Sequence, residues 1–217
     1  MSIATLIIGQ SGTGKSTSMR NLDAGNTLVL QAVRKPMPFK GWKHHDKEKA
    51  PTGNVFVTDN AETIIKAMRN TKRDIIVLDD FQFTMANEFM RRSGETGFAK
   101  FTDIGRNAWD ILNAANTLAD HKRVYILSHS ETTDDGRIKA KTIGKLLDEK
   151  LSVEGLFSIV LRSIVRDGEY QFATRNNGAD TTKSPMGLFD RDLIPNDLAE
   201  VDAAICNYFD LTPAAAA

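Results

Sequence analysis

The residues best placed by type and spacing to do chemistry are Gly9-Gln10-Ser11-Gly12-Thr13-Gly14-Lys15-Ser16-Thr17. They read G-x-x-x-x-G-K-[ST] and directly follow the short apolar run Ile3-Ala4-Thr5-Leu6-Ile7-Ile8, the context of a buried strand feeding a glycine-rich turn. Glycines let the backbone curl so that successive N–H groups converge on one anion, and the N-terminus of a following helix adds partial positive charge. In such a loop residues Gly9 to Thr17 cradle a nucleoside triphosphate. Lys15 reaches its β- and γ-phosphates, and the Ser16 hydroxyl ligates Mg²⁺. The plainer alternative is a flexible glycine turn.

A second chemical stretch is Asp74-Ile75-Ile76-Val77-Leu78-Asp79-Asp80, a continuous apolar run ending in two carboxylates. A run with no polar alternation suits a central parallel strand covered on both faces, and charges just beyond it land at the carboxyl edge of the sheet, where ligands bind. This reads as a Walker B segment, with Asp79 holding the Mg²⁺ shell and Asp80 orienting or deprotonating the attacking water. The alternative is an acidic strand end that caps a helix. A third apolar run, Val124-Tyr125-Ile126-Leu127, ends in Ser128-His129-Ser130-Glu131. By the same geometry His129 or Ser128 would sense the nucleotide and pass its state to the next loop.

The elements that must position these groups follow from the pattern between them. A short helix is expected over 16–22, a strand over 27–31, and then a basic, aromatic-bearing loop over 33–51 carrying Lys35, Phe39 and Trp42. The pair His44-His45 in that loop has no Cys or further His nearby and is not read as a metal site. Val55-Phe56-Val57 is a brief strand, and Thr58-Asp59-Asn60 caps a helix bearing Ile64, Ile65 and Met68. A helical pattern from Phe81 gives way to a flexible loop containing Arg91 and Arg92, and a long helix follows with Ile104, Ala108, Ile111, Leu112, Ala115 and Leu118 on one face. Residues 132–145 read as a flexible basic loop around Asp134-Asp135-Gly136, with Arg137, Lys139, Lys141 and Lys145. A short helix over 146–151 comes next. Strands over 156–165 and 169–174 flank Asp167-Gly168, a strong hairpin signal. A final amphipathic helix carries Leu198, Val201, Ile205 and Phe209.

The chain of 217 residues fits one α/β domain, expected over 1–212 with a disordered tail at 213–217. Its 28 Lys and Arg balance 28 Asp and Glu, so a nucleic-acid surface would have to be a local patch. The single cysteine, Cys206, excludes an intrachain disulfide, suits a reducing cytoplasm and falls in an apolar helical pattern expected in the core. No run approaches bilayer-spanning length, and no secretory signal is read at the N-terminus.

With both phosphate motifs and the polar-ended third strand in place, the chain resembles the short RecA-core P-loop ATPases encoded by bacteriophages, a group that includes single-strand annealing proteins. The resemblance spans nearly the whole chain. Beyond general P-loop features it rests on residues 75–82, on Ser128-His129-Ser130-Glu131, on Lys141-Thr142-Ile143-Gly144-Lys145-Leu146-Leu147, on Asn176-Asn177-Gly178 and on Lys183-Ser184-Pro185-Met186-Gly187. It implies an α/β P-loop NTPase fold with a RecA-like core: a mainly parallel sheet flanked by helices, here with a C-terminal antiparallel hairpin. It also implies binding and hydrolysis of ATP with Mg²⁺ and assembly into a ring or filament. The implied partner is single-stranded DNA in phage recombination or replication, with a single-strand-binding protein as a further partner and the host cytoplasm as location.

Residue by residue, Lys15, Ser16 and Asp79 match the nucleotide and metal positions of that family. RecA-type recombinases carry a catalytic glutamate after the second strand, where this chain has Gln31-Ala32-Val33. That departure leaves Asp80 as first candidate for activating water and Glu131 as second. The family's mobile DNA loops follow the third and fourth core strands, which implies contacts from Arg91 and Arg92 and from Arg137, Lys139, Lys141 and Lys145. A cationic finger from a neighbouring subunit would come from Lys141, Lys145, Arg162 or Lys183. Two other readings stand beside this one: a small-molecule phosphotransferase with Arg91-Arg92 as its lid, and an ATP-gated adaptor that does not turn over.

Overall fold

The structure, a computed structural model, describes residues 1–42, 53–144 and 152–211. His44-His45, Lys145, the helix expected over 146–151 and the tail at 213–217 lie outside the described residues. In chain order the strands are β1 (Ile3–Gly9), β2 (Thr27–Gln31), β3 (Val55–Val57), β4 (Ile75–Asp79), β5 (Arg123–Thr132), β6 (Ile138–Ala140), β7 (Ile159–Arg166), β8 (Glu169–Ala173) and β9 (Leu193–Pro195). The helices are α1 (Ala61–Asn70), α2 (Gln82–Arg91), α3 (Ala99–Asn116) and α4 (Leu198–Tyr208). The strands form one mixed sheet in the order β3-β2-β4-β5-β1-β7-β8-β9, with β6 paired to β5 outside that path. All pairs from β3 across to β7 are parallel, while β7–β8, β8–β9 and β5–β6 are antiparallel.

The apolar runs sit where a parallel sheet needs them. Every residue of β2 and of β4 is buried, because helices cover both faces. On one face Leu6, Ile8, Ile76 and Leu78 pack against Ile64 and Met68 of α1 and Ile104, Ile111 and Leu112 of α3. On the other Ile7, Val77, Tyr125 and Leu127 meet Met19 and, from α4, Leu198, Val201 and Ile205. Each fully buried aliphatic side chain contributes about 1.5–3 kcal/mol. Asn60 caps α1, its side-chain oxygen accepting from the Thr63 N–H at 2.9 Å. Asp167 (φ 53°) and Gly168 (φ 82°) form the two-residue turn between β7 and β8, both in the left-handed region that a type I′ hairpin requires.

Several elements differ from expectation. The segment after the glycine loop, Ser16–Asn21, is a six-residue 3₁₀ helix, which leaves the loop's own N–H groups as its main source of positive potential. Residues 132–145 are not simply a flexible loop: β5 runs on to Thr132 and pairs with β6, because Ala140 is buried and Ile138 packs against the core. The strand expected over 156–165 begins at Ile159, after a 3₁₀ turn at Val153–Leu156. Strand β9 adds an edge that polar composition had hidden. Cys206 is only partly buried.

At the amino edge of the sheet, Arg123 Nε and Nη2 each donate to an Asp202 oxygen at 3.0 Å, and the Tyr125 hydroxyl donates to the same carboxylate at 2.6 Å. This buried cluster ties α4 to β5. No helix among the described residues is long and apolar enough to cross a membrane.

Candidate functional site

The chain leaves β1 for β2 on one side of it and later leaves β5 for β7 on the other, although β1 and β5 are neighbours. The crevice beyond their carboxyl ends is therefore the topological switch point of the sheet, the place where ligands of open α/β sheets bind. The register sets Gly9 beside His129, and β5 stands between β1 and β4. The glycine loop, His129 and Asp80 thus line one cleft of about 900 Å³, with the buried Asp79 behind Ser16.

Within the loop, the Lys15 ammonium donates to the carbonyls of Gly9 and Gln10, both at 2.8 Å. Burial lowers its pKa from 10.5 to about 8, against the opposing pull of Asp80 and Asp79. The Ser16 hydroxyl bridges to Asp79, 2.9 Å from one carboxylate oxygen and 3.0 Å from the other. Asp79 is fully buried, and burial together with the neighbouring Asp80 pushes its pKa up to about 6. A cation here would relieve that cost. Hydroxyl and carboxylate already meet as two ligands of one Mg²⁺ would, so these residues fit the ion. Among the described residues no group of three or more His, Cys, Asp or Glu is placed to hold a metal. Mg²⁺ bound through Ser16 and Asp79 would complete its shell with water and phosphate oxygens, as it commonly does.

The loop's shape is enforced from the C-terminal hairpin. The Ser163 hydroxyl of β7 donates to the Thr13 carbonyl, and Asn196 Nδ2 donates to Ser163 Oγ at 3.2 Å. Arg20 reaches the Asn196 carbonyl at 2.7 Å. Gly14 has φ 90°, and a Cβ on it would stand 2.9 Å from the Tyr170 ring and 3.0 Å from Asn196 Oδ1. Tyr170 itself is half-exposed and lines the cleft, as do Lys35 and His129. Sequence reasoning missed Arg20, Ser163, Tyr170 and Asn196. No local signal marks Ser163, Tyr170 and Asn196, since only the pairing of β7 with β1 and of β9 with β8 brings them to the loop, whereas Arg20 lies in the short helix directly after it.

Asp80 follows β4 at φ 62°, a left-handed conformation uncommon for a residue with a side chain. Its carboxylate pairs with Lys35, and its other oxygen lies 3.6 Å from His129 Nε2. Burial alone would raise its pKa, but the neighbouring His129 and Lys35 outweigh it and hold it below the usual carboxylate value. Asp80 is therefore an anion that can orient a water molecule and is a weak base. Phe83 packs edge-on to His129, with ring centroids 5.9 Å apart. Ser128, the alternative sensor, is buried with no hydrogen-bond partner for its hydroxyl among the described residues.

The other expected site residues are placed as follows. Glu131 lies two residues beyond His129 and pairs across the β5–β6 ribbon with Lys139 at 3.5 Å, while Asp80 and Glu169 are carboxylates that line the cleft. Arg137 pairs with Asp135 at 3.4 Å near the ribbon tip, and Lys141 is exposed just past β6. Arg91 pairs with Asp59 at 2.7 Å. Arg92 is ringed by Glu88, Glu95 and Asp103 at 3.2, 2.8 and 3.0 Å. The α2–α3 connection expected to be flexible is pinned by these pairs and by Lys100 donating to the Glu95 carbonyl at 2.7 Å. Arg162 is engaged by Asp180 of its own chain at 3.0 Å. No protein-family model matches the chain, and no curated protein matches it.

Proposed function

We propose that this protein is a RecA-like P-loop NTPase that binds ATP with Mg²⁺ in the carboxyl-edge cleft, hydrolyses it, and acts as an oligomer on single-stranded DNA. The observation that carries the reading is the Ser16 hydroxyl on both oxygens of the buried Asp79, with Lys15 in the same cleft. Strand β5, inserted between the glycine-loop strand and the Asp79 strand, supports it by setting His129 against Asp80.

In this mechanism Lys15 exchanges the Gly9 and Gln10 carbonyls for phosphate oxygens, and the loop N–H groups cradle the rest of the polyphosphate. Ser16 and Asp79 would hold Mg²⁺, which when bound would supply charge neutralisation to the phosphates. Asp80 orients the attacking water, and Tyr170 offers its ring to the base. His129 contacts Asp80 and lies on the strand that continues into the β5–β6 ribbon bearing Arg137, Lys139 and Lys141. A change at the phosphates thereby has a path, through the Asp80–His129 contact and along β5, to Arg137, Lys139 and Lys141, which suit a DNA backbone.

Phosphate release from ATP, measured with Mg²⁺ and with or without a single-stranded oligonucleotide, tests the proposal. The wild type is expected to turn over and to respond to the strand, while Lys15→Ala does neither. Transfer of phosphate to a metabolite with no response to DNA would overturn it. One observation favours a second reading, the adaptor that does not turn over: Lys35 and His129 already take up the Asp80 carboxylate. Tight ATP binding with negligible turnover, even on DNA, would select that reading.

A further inference from the structure

Lys35 has no role in the mechanism above, yet it lines the cleft with Lys15 and holds the carboxylate meant for water. Its root is fixed. Gln31, the buried last residue of β2, sits in register with Asp79 and donates from Nε2 to the Lys35 carbonyl at 3.1 Å. Two residues further on, Met37 is buried in the core against β2 and β3. Only the flexible stem of Lys35 is left to move, and its side chain is 39% exposed on the cleft side.

We propose that Lys35 reads the terminal phosphate: on binding of a nucleoside triphosphate its ammonium leaves Asp80 for the γ-phosphate, and Asp80 is thereby released to orient water. The inference rests on the nucleotide reading of the cleft. It follows from competition between two anions for one tethered cation. A terminal phosphate carries more charge and more acceptor oxygens than a single carboxylate, and Lys offers a compact ammonium with three donors that can turn from one to the other. With a diphosphate no such competitor is present, and Lys35 stays on Asp80, leaving it blocked. Lys35 would thus set both triphosphate selectivity and the timing of hydrolysis. Lys15, rooted in the loop itself, grips either nucleotide.

Calorimetric titration with Mg²⁺ and either ADP or a non-hydrolysable ATP analogue separates these roles. Lys35→Ala is expected to lose about 10- to 100-fold in affinity for the triphosphate analogue, the range typical of a hydrogen bond to a charged group, with ADP affinity unchanged within about twofold. Lys35→Arg restores part of the preference. Asp80→Asn, which removes the competing charge, tightens the analogue and leaves ADP alone. If Lys35→Ala weakens both nucleotides equally, or neither, while the wild type binds them, this inference is overturned alone. If the wild type binds neither nucleotide, the reading of the cleft is overturned and the inference with it.

Discussion

Lys15 and Asp79 are taken from opposite sides toward neutrality by the same burial, and that gives the site a signature in stability. Asp79 has its pKa raised from 3.8 to about 6, so the folded protein binds this proton more tightly than the unfolded chain does. The resulting cost is absent below pH 3.8 and complete above about 6, so this residue withdraws stability as pH rises through that window. Asp79→Asn removes the charge and its cost. In chelator at pH 7.5 the variant is expected to melt about 2–4 °C above the wild type, the shift that roughly 1 kcal/mol gives a chain of this size, with a smaller gain at pH 4. With Mg·ATP present the proposed function predicts the reverse order, because the variant lacks the carboxylate proposed to hold Mg²⁺. Equal melting at both pH values would contradict this account of Asp79. At this scale Lys15, Ser16 and Asp79 were legible because their motifs fix them. Lys35 was not, since it is one of several lysines in a polar loop and only the path held by Gln31 singles it out. Nor does any sequence pattern show the left-handed backbone of Asp80.

Among the elements, the C-terminal hairpin does more than close the sheet. Ser163 on β7, Tyr170 on β8 and Asn196 after β9 press on the glycine loop, so the loop is held in shape from outside its own sequence. Gly14→Ala adds a methyl that has no room and a residue that dislikes φ 90°. A left-handed conformation costs about 1–2 kcal/mol by itself, so thermal melting should fall by several degrees. Nucleotide affinity should fall further than stability, since relief of the contact moves the loop off Tyr170 and Asn196. A variant that melts lower but binds ATP as the wild type does would show that the hairpin brace has no part in the site. The hairpin itself was readable from Asp167-Gly168. The β5–β6 ribbon was not, because Ser130, Glu131, Lys139 and Lys141 mask the alternation that Ile138 and Ala140 bury. Its consequence is large, as one continuous strand joins the cleft to the ribbon that bears Arg137, Lys139 and Lys141.

Over the whole molecule the two edges of the sheet divide the labour. The amino edge carries the Arg123–Asp202–Tyr125 cluster, in which breaking the ion pair from one side would cost about 3–5 kcal/mol. The carboxyl edge carries the ionisable groups under strain or burial: Asp80 at φ 62°, the buried Asp79 and Lys15, whose pKa burial lowers. Apolar runs of parallel-strand character made the α/β architecture readable, while strand order, and with it the switch point, is a property of long-range pairing that no local pattern carries. The balanced total charge likewise says little about DNA, and the ribbon repeats that balance locally, with Arg137, Lys139 and Lys141 beside Glu131, Asp134 and Asp135 at the end of the strand that contacts Asp80. Binding of a labelled single-stranded oligonucleotide at two salt concentrations, with and without Mg·ATP and beside Lys15→Ala, bears most directly on whether the cleft controls a strand. Binding that weakens with salt, responds to nucleotide, and loses that response in the variant is the expected result. An oligonucleotide that stays unbound in every state, or binds identically with and without nucleotide, would contradict a nucleotide-switched strand binder.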